Sequence, residues 1–146
     1  MNEFDEDKTQ LISDLDGSRT ELLQVVSGLT PADLEQARRG SWTVARVLEH
    51  VLHSESLYTQ LISVFSGKPA MPPQGGTLAE ASSAVAALDA SREAFLSAVD
   101  AVQEADFYRL QTIGHEEYSV LSILENNAAH DREHAEQVRK TVGGPG

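Results

Sequence analysis

His130 and His134 stand four residues apart in AAHDREHAEQV, residues 128–138, in a chain with five histidines in all. On an α-helix an i, i+4 pair projects from one side, one turn apart. Two neutral imidazoles so placed can share a divalent cation, or they can be ordinary polar residues of a helix surface. The chain has no cysteine, which excludes disulfides, thiolate ligands and a cysteine nucleophile. Metal chemistry here would fall to His, Asp, Glu and water.

The surroundings of the pair favour a metal. At about 100° per residue, the last helix gathers Val120, Leu121, Leu124, Ala128, Ala135, Val138 and Val142 into one apolar stripe. One shoulder of the stripe carries Glu125, Arg132, Glu136 and Arg139, a solvated face. The other reads Ile123, Asn127, His130, His134, Gln137 and Thr141, with no charge. An uncharged hydrogen-bonding strip beside a core stripe predicts the wall of a cleft. A third histidine has the same placement: His50 falls at the edge of the apolar face formed by Val44, Val47, Val51, Tyr58, Leu61, Ile62 and Phe65. His53 lies about 60° further out, toward the polar side. Three neutral imidazoles from two helices would leave positions open on a zinc, nickel or iron(II) ion, as a catalytic centre does. Such an ion lowers the pKa of bound water or thiol and supplies a nucleophile near neutral pH.

Asp131 is anomalous, because it projects near the middle of the apolar stripe, where an unpaired carboxylate is costly. It requires a partner, for which Arg46, the Trp42 indole N–H or a ligand imidazole on another helix are the candidates. Glu55 lies about 140° around its helix from His50, badly placed to act as a base beside a metal. No Asp or Glu falls on the uncharged strip of the last helix either.

The elements that must position these groups are all helical, since 3–4 spacing of apolar residues recurs and alternating strand patterns are nearly absent. A first helix is expected from Phe4 to Val26, burying Leu11, Ile12, Leu15, Leu22, Leu23 and Val26, with Gly17 and Ser18 weakening its middle. Thr30 and Pro31 open a short helical piece that Gly40 stops. The second long helix runs from Thr43 to Ser66, ended by Gly67 and the KPAMPPQGG loop. Thr77 and Glu80 form a capping-box pattern for the third. A connection, AVQEADFYRLQTIGHEEY, leads to a last helix that starts near Ser119 and stops before GGPG, and His115 is a loop residue within it. The result is an all-α four-helix bundle with a short extra helix between helices 1 and 2, one domain over residues 1–142 and a flexible tail at 143–146. The loop MPPQGG and the connection from Phe107 to His115 are expected to frame the pocket mouth.

Composition narrows the partners. With 146 residues, 11 basic and 23 acidic side chains and a formal charge of −12, the overall field opposes a nonspecific grip on nucleic acid. No 18-residue apolar run exists, so no membrane span is expected. The start, MNEFDEDKTQ, lacks the layout of a secretory signal, and the expected location is cytoplasmic.

The segments SWTVARVLEHVLHSE and SILENNAAHDREHAEQV resemble the DinB-like (DinB/YfiT) superfamily of bacterial four-helix bundles. There, a Trp followed by Ser or Thr precedes a helix bearing one histidine, and the last helix bears H-x-x-x-H followed by Gln. The resemblance implies that His50, His130 and His134 are the metal triad and Gln137 a neighbour of the site. Trp42 matches the tryptophan at the helix entry, with a plain core aromatic as its alternative reading. It also implies a divalent metal cofactor, a small-molecule substrate and a homodimer. Members include transferases of low-molecular-weight thiols such as bacillithiol or mycothiol, and thiol S-transfer is the leading expectation. A metal-dependent hydrolase and a non-catalytic dimeric binding or stress-response module are the alternatives.

Overall fold

The computed structural model describes residues 2–69 and 78–143. Four long helices, α1 (Glu3–Ser27), α3 (Val44–Ser66), α4 (Ala81–Asp100) and α6 (Val120–Gly143), carry the fold; α2 (Pro31–Leu34) and α5 (Glu104–Phe107) are single turns. Helix α1 packs along α6 and α4, and α3 packs along the same two, so the four close into a ring around one interior. This is the all-α bundle that the apolar periodicity predicts, including the extra turn between the first two long helices. Among the described residues, no helix is long and apolar enough to cross a membrane.

Local chemistry fixes most of the helix ends. The Asn2 side chain caps α1 by accepting from the Asp5 N–H. Thr30 and Asp33 exchange side-chain and backbone bonds in a complete capping box around Pro31. The Thr43 hydroxyl accepts from the Arg46 N–H at the start of α3, and Gly67, with φ 70°, closes it in the left-handed conformation that glycine adopts without a Cβ clash. Ser119 and Ser122 cap α6 reciprocally, each hydroxyl accepting the other's N–H at 3.0 Å.

Two expectations about the connections change. Helix α4 begins at Ala81, its N-cap is Glu80, and no side chain caps it; the Thr77 end of the anticipated capping box lies outside the described residues. The connection after α5 is also not wholly irregular. Gln111–Ile113 and Glu116–Tyr118 pair as a short antiparallel hairpin, β1 and β2, with Ile113 opposite Glu116. Its two-residue loop is Gly114-His115, with Gly114 at φ 67°, glycine first as a two-residue hairpin turn favours. Three-residue strands are too short to show an alternating pattern, and that is why periodicity misses them. His115 is exposed in that turn.

The interior holds two apolar clusters. One gathers Leu22, Val26, Val47, Leu48, Val51, Leu88, Ala135 and Val138; the other Leu11, Leu15, Ile62, Phe65, Phe95, Phe107, Ile123 and Leu124. Between them lies a layer of buried charge to which every long helix contributes: Arg19 from α1, Glu55 from α3, Arg92 from α4 and Asp131 from α6. Arg19 holds both Asp131 oxygens, at 3.1 and 3.3 Å. It also reaches Glu55 Oε2 at 3.0 Å and the Leu88 carbonyl at 2.7 Å. Arg92 donates to Glu55 Oε2 at 2.8 Å, to Asp131 Oδ2 at 2.6 Å and to the Leu15 carbonyl at 2.8 Å. Two guanidiniums meet two carboxylates, so the layer is neutral as a whole.

Asp131 thus does have the partner that its position demands, but it is neither Arg46, nor Trp42, nor an imidazole. Arg19 and Arg92 neutralise it, and the Ser18 hydroxyl donates to it at 3.2 Å. Ser18, expected only to weaken α1, is a buried member of the layer. Asn127 belongs here too, donating to Glu55 Oε2 at 2.9 Å. Glu55 Oε1 is buried and lacks a partner with hydrogen-bond geometry among the described residues, although Ser91 is near enough to help hold down the pKa.

Burial opposes ionisation of Glu55, but Arg19 and Arg92 outweigh it and hold the carboxyl below its ordinary value of 4.5. A group depressed on folding contributes stability that is complete above its unfolded pKa and is lost as pH falls through the folded one. The denaturation free energies of wild type and Glu55→Gln are therefore expected to differ by a constant amount above about pH 5 and to converge as pH falls toward 3. A gap that stays constant down to pH 3 would contradict this assignment.

Candidate metal centre

His50 reaches the site from the second turn of α3, and His130 and His134 from successive turns of α6. All three are half-buried or buried, and each offers a ring nitrogen such that the three nitrogens lie within 4.8 Å of one another. His130 Nε2 and His134 Nε2 are 2.9 Å apart. The His50 ring centroid is 5.1 Å from each of the other two.

A hydrogen bond selects which His134 nitrogen faces the others. The Gln137 amide oxygen lies 2.6 Å from His134 Nδ1; an amide oxygen only accepts, so Nδ1 carries the proton and Nε2 keeps a lone pair. Gln137 sits three residues on from His134, on the same face of α6. Burial first, and the neighbouring His134 and His50 second, push the pKa of His130 down to about 4. His50 is lowered as well, by burial, His134 and His53. At neutral pH His130 and His50 are therefore uncharged, the protonation state that ligates a metal.

These donors suit a divalent ion. Nitrogens bound to one zinc at about 2.1 Å stand roughly 3–3.5 Å apart, a spacing close to that of the histidine cluster. Two Nε2 lone pairs facing each other at 2.9 Å also repel unless a proton or a cation lies between them. Three imidazoles with no thiolate and no carboxylate would leave an open position on a four-coordinate ion.

The sequence pattern of the DinB superfamily matches residues 14–138, a span containing all three histidines. The chain belongs to the DinB superfamily. No curated protein and no solved structure matches it.

Other residues around this DinB-superfamily centre fall partly where expected. Gln137 touches the triad. Asn127, on the same strip, turns instead into the charged layer. His53 is exposed and outside the cluster, although close enough for its charge to lower the pKa of His50. Trp42 is not a core aromatic: it is 46% exposed. It sits in the link before α3, with its ring 5.3 Å from that of His50 and the Arg46 guanidinium 5.4 Å above it. The ring thus packs at the rim of the site against His50 and Arg46.

Two groups at the centre escape the sequence reading. Tyr58, assigned to the core face of α3, has its ring 6.3 Å from that of His130, and burial with the nearby Glu133 raises its pKa. Glu133 is exposed, and its charge bears on His50 and His130. Its place between the two α6 histidines was the available signal, since on a helix it lies only about 60° from His130. A groove of about 1030 Å³ beside the triad is lined by residues 36–39 and Ser41 of the α2–α3 link and by Glu133, Glu136, Gln137, Lys140 and Thr141 of α6. Phe107 is buried in the core at the far side of the charged layer, and residues 71–76 lie outside the described residues.

Proposed function

We propose that His50, His130 and His134 hold a divalent zinc, nickel or iron ion, and that the chain is a metal-dependent enzyme transferring the sulfur of a low-molecular-weight thiol, of the bacillithiol or mycothiol kind, to an electrophile. The observation that carries this reading is the convergence of three imidazole nitrogens from two helices, one of them oriented by Gln137. When bound, such an ion lowers the pKa of a thiol or water and makes a nucleophile available near neutral pH.

The chain's own residues supply the rest. Gln137 fixes the ring of His134, so that its Nε2 faces the cluster without conformational searching. Trp42 and Tyr58 give the space around the histidines two aromatic walls. Glu133 would take the proton that leaves the thiol sulfur as that sulfur attacks an electrophilic carbon and displaces its leaving group.

Glu133 also favours a second reading, hydrolysis of an ester or amide. The objection drawn from the sequence is the lack of a carboxylate beside the triad, and Glu133, whose charge bears on His50 and His130, weakens it. In either reaction Glu133→Gln is expected to lower turnover by roughly 10²–10⁴-fold, with metal content unchanged.

Elemental analysis of untagged protein tests the metal. Near-stoichiometric zinc, nickel or iron in the wild type, lost in His50→Ala, His130→Ala and His134→Ala, is the expected result. Mixing the loaded protein with thiol and a fluorogenic electrophile, or with an ester, then separates transfer from hydrolysis. Wild-type protein that stays empty after incubation with all three ions would overturn the reading and leave the non-catalytic module.

A further inference from the structure

Glu133, Gln137 and Thr141 form only one wall of the groove beside the triad, and the other is basic. Backbone bonds tie residues 36–43: the Val44 N–H donates to the Gln36 carbonyl at 2.9 Å, and the Ser41 N–H to that of Arg38 at 2.8 Å. Ala37 and Thr43 form an isolated antiparallel bridge. The 38–41 turn places Gly40 third, at φ 78°, a conformation that favours glycine at that position of a type II turn. A tied turn thus presents Arg38 and Arg39 to the groove, opposite Lys140.

The chain has 23 carboxylate side chains for 11 basic ones. Arg19 and Arg92 are bound in the interior, and Lys8, Arg109, Arg139 and Lys140 each have a surface carboxylate. Arg38 and Arg39 pair with no carboxylate among the described residues, nor do Lys68, Arg132 and Arg46, the last of which lies over Trp42; Arg38 and Arg39 are the two of this set that line the groove. Within the groove, Glu136 is taken up by Arg139 at 2.6 Å and Lys140 at 3.8 Å. The guanidiniums of Arg38 and Arg39 are therefore left with their donor forks free, and such forks match the paired oxygens of a carboxylate or phosphate.

We propose that Arg38 and Arg39 form an oxyanion site that holds the carboxylate or phosphate of a small ligand in the groove beside the histidine triad. The contact between groove and triad is Gln137, which lines the one and bonds His134 of the other. A ligand anchored there by its anionic end has its remaining atoms next to the imidazoles. The assignment of that ligand as substrate rests on the reading of the triad as a metal centre; the anion binding does not. Two adjacent guanidiniums make the loop wall of this mouth locally positive, with Glu133 on the α6 wall opposing them.

The test is a titration of amide NMR shifts with inorganic phosphate and, separately, with succinate, on zinc-loaded protein and on protein stripped with chelator. Saturable shifts at residues 36–41 and 137–141 in both forms are expected; saturation in the stripped form shows that the arginines, rather than an ion, take up the anion. Arg38→Gln/Arg39→Gln is expected to weaken binding at least tenfold while leaving the remaining spectrum and the metal content unchanged. Arg132→Gln, which removes an exposed arginine elsewhere on α6, is expected to change nothing. Saturation by phosphate alone or succinate alone identifies the chemical class. Shifts that grow linearly, or an affinity untouched in the double variant, would overturn the proposal. A protein that takes up metal without saturable anion binding refutes this site and spares the triad; one that binds anions but never metal does the reverse.

Discussion

Asp131→Ala is expected to lose about 3–5 kcal/mol of stability, because it leaves two buried guanidiniums facing one carboxylate. Asp131 has no exposed surface, so its partners lose it inside the interior, away from bulk water. It accepts from Arg19, Arg92 and Ser18, and the substitution removes all of these bonds at once, leaving both guanidiniums to share Glu55 and backbone carbonyls and Ser18 with the Leu15 carbonyl alone. For a chain of this length the loss corresponds to a fall in Tm on the order of 10 °C or more. Removing a counter-charge at the same time gives the sharper measurement. Asp131→Ala/Arg92→Ala restores neutrality, leaving Arg19 on Glu55, and is expected to be less damaging than the sum of the two single changes. Thermal and denaturant unfolding of the four proteins would decide it. Wild-type stability in Asp131→Ala, or strictly additive losses, would show that the layer is not coupled as its geometry implies.

The second large effect concerns the triad. With zinc at a hundredfold excess over Kd, wild-type protein is expected to gain about 2.7 kcal/mol and several degrees in Tm, reversed by chelator. His134→Ala is expected to show no such gain, since it removes both a ligand and the ring that Gln137 orients. Gln137→Ala keeps all three imidazoles and frees only the His134 ring, so it is expected to bind 10–100-fold more weakly rather than not at all. A graded series, with Gln137→Ala between wild type and His134→Ala, is the signature of a ligand held by its neighbour. Equal gains in all three proteins would mean that the ion stabilises the chain somewhere else. Because the centre and the charged layer share α6, Asp131→Ala tested in the same titration shows whether the layer also holds that helix in register with His50.

The helices were legible in the sequence because the forces that set them act within a few residues. Thr30, Thr43, Gly67 and Ser119 mark helix ends through bonds to their own neighbours, and the apolar stripes follow from a 3.6-residue period. The same reach covers His130, His134 and Gln137, which meet on one face of α6 whatever surrounds it. Asp131 could be flagged as a charge on an apolar stripe, but its partners, 112 and 39 residues away, could not be named from α6 alone. The same test applied to the other helices would have found them: Arg19 lies between Leu15 and Leu22, Glu55 between Val51 and Ile62, and Arg92 between Leu88 and Phe95. Two positive and two negative charges at such positions balance only once four helices are packed together. Tertiary structure alone brought His50 to the α6 pair, turned Trp42 outward onto it, and set Arg38 and Arg39 across a groove from Lys140. Side chains on different helices meet only through packing of the whole interior, and no spacing along one chain segment encodes that.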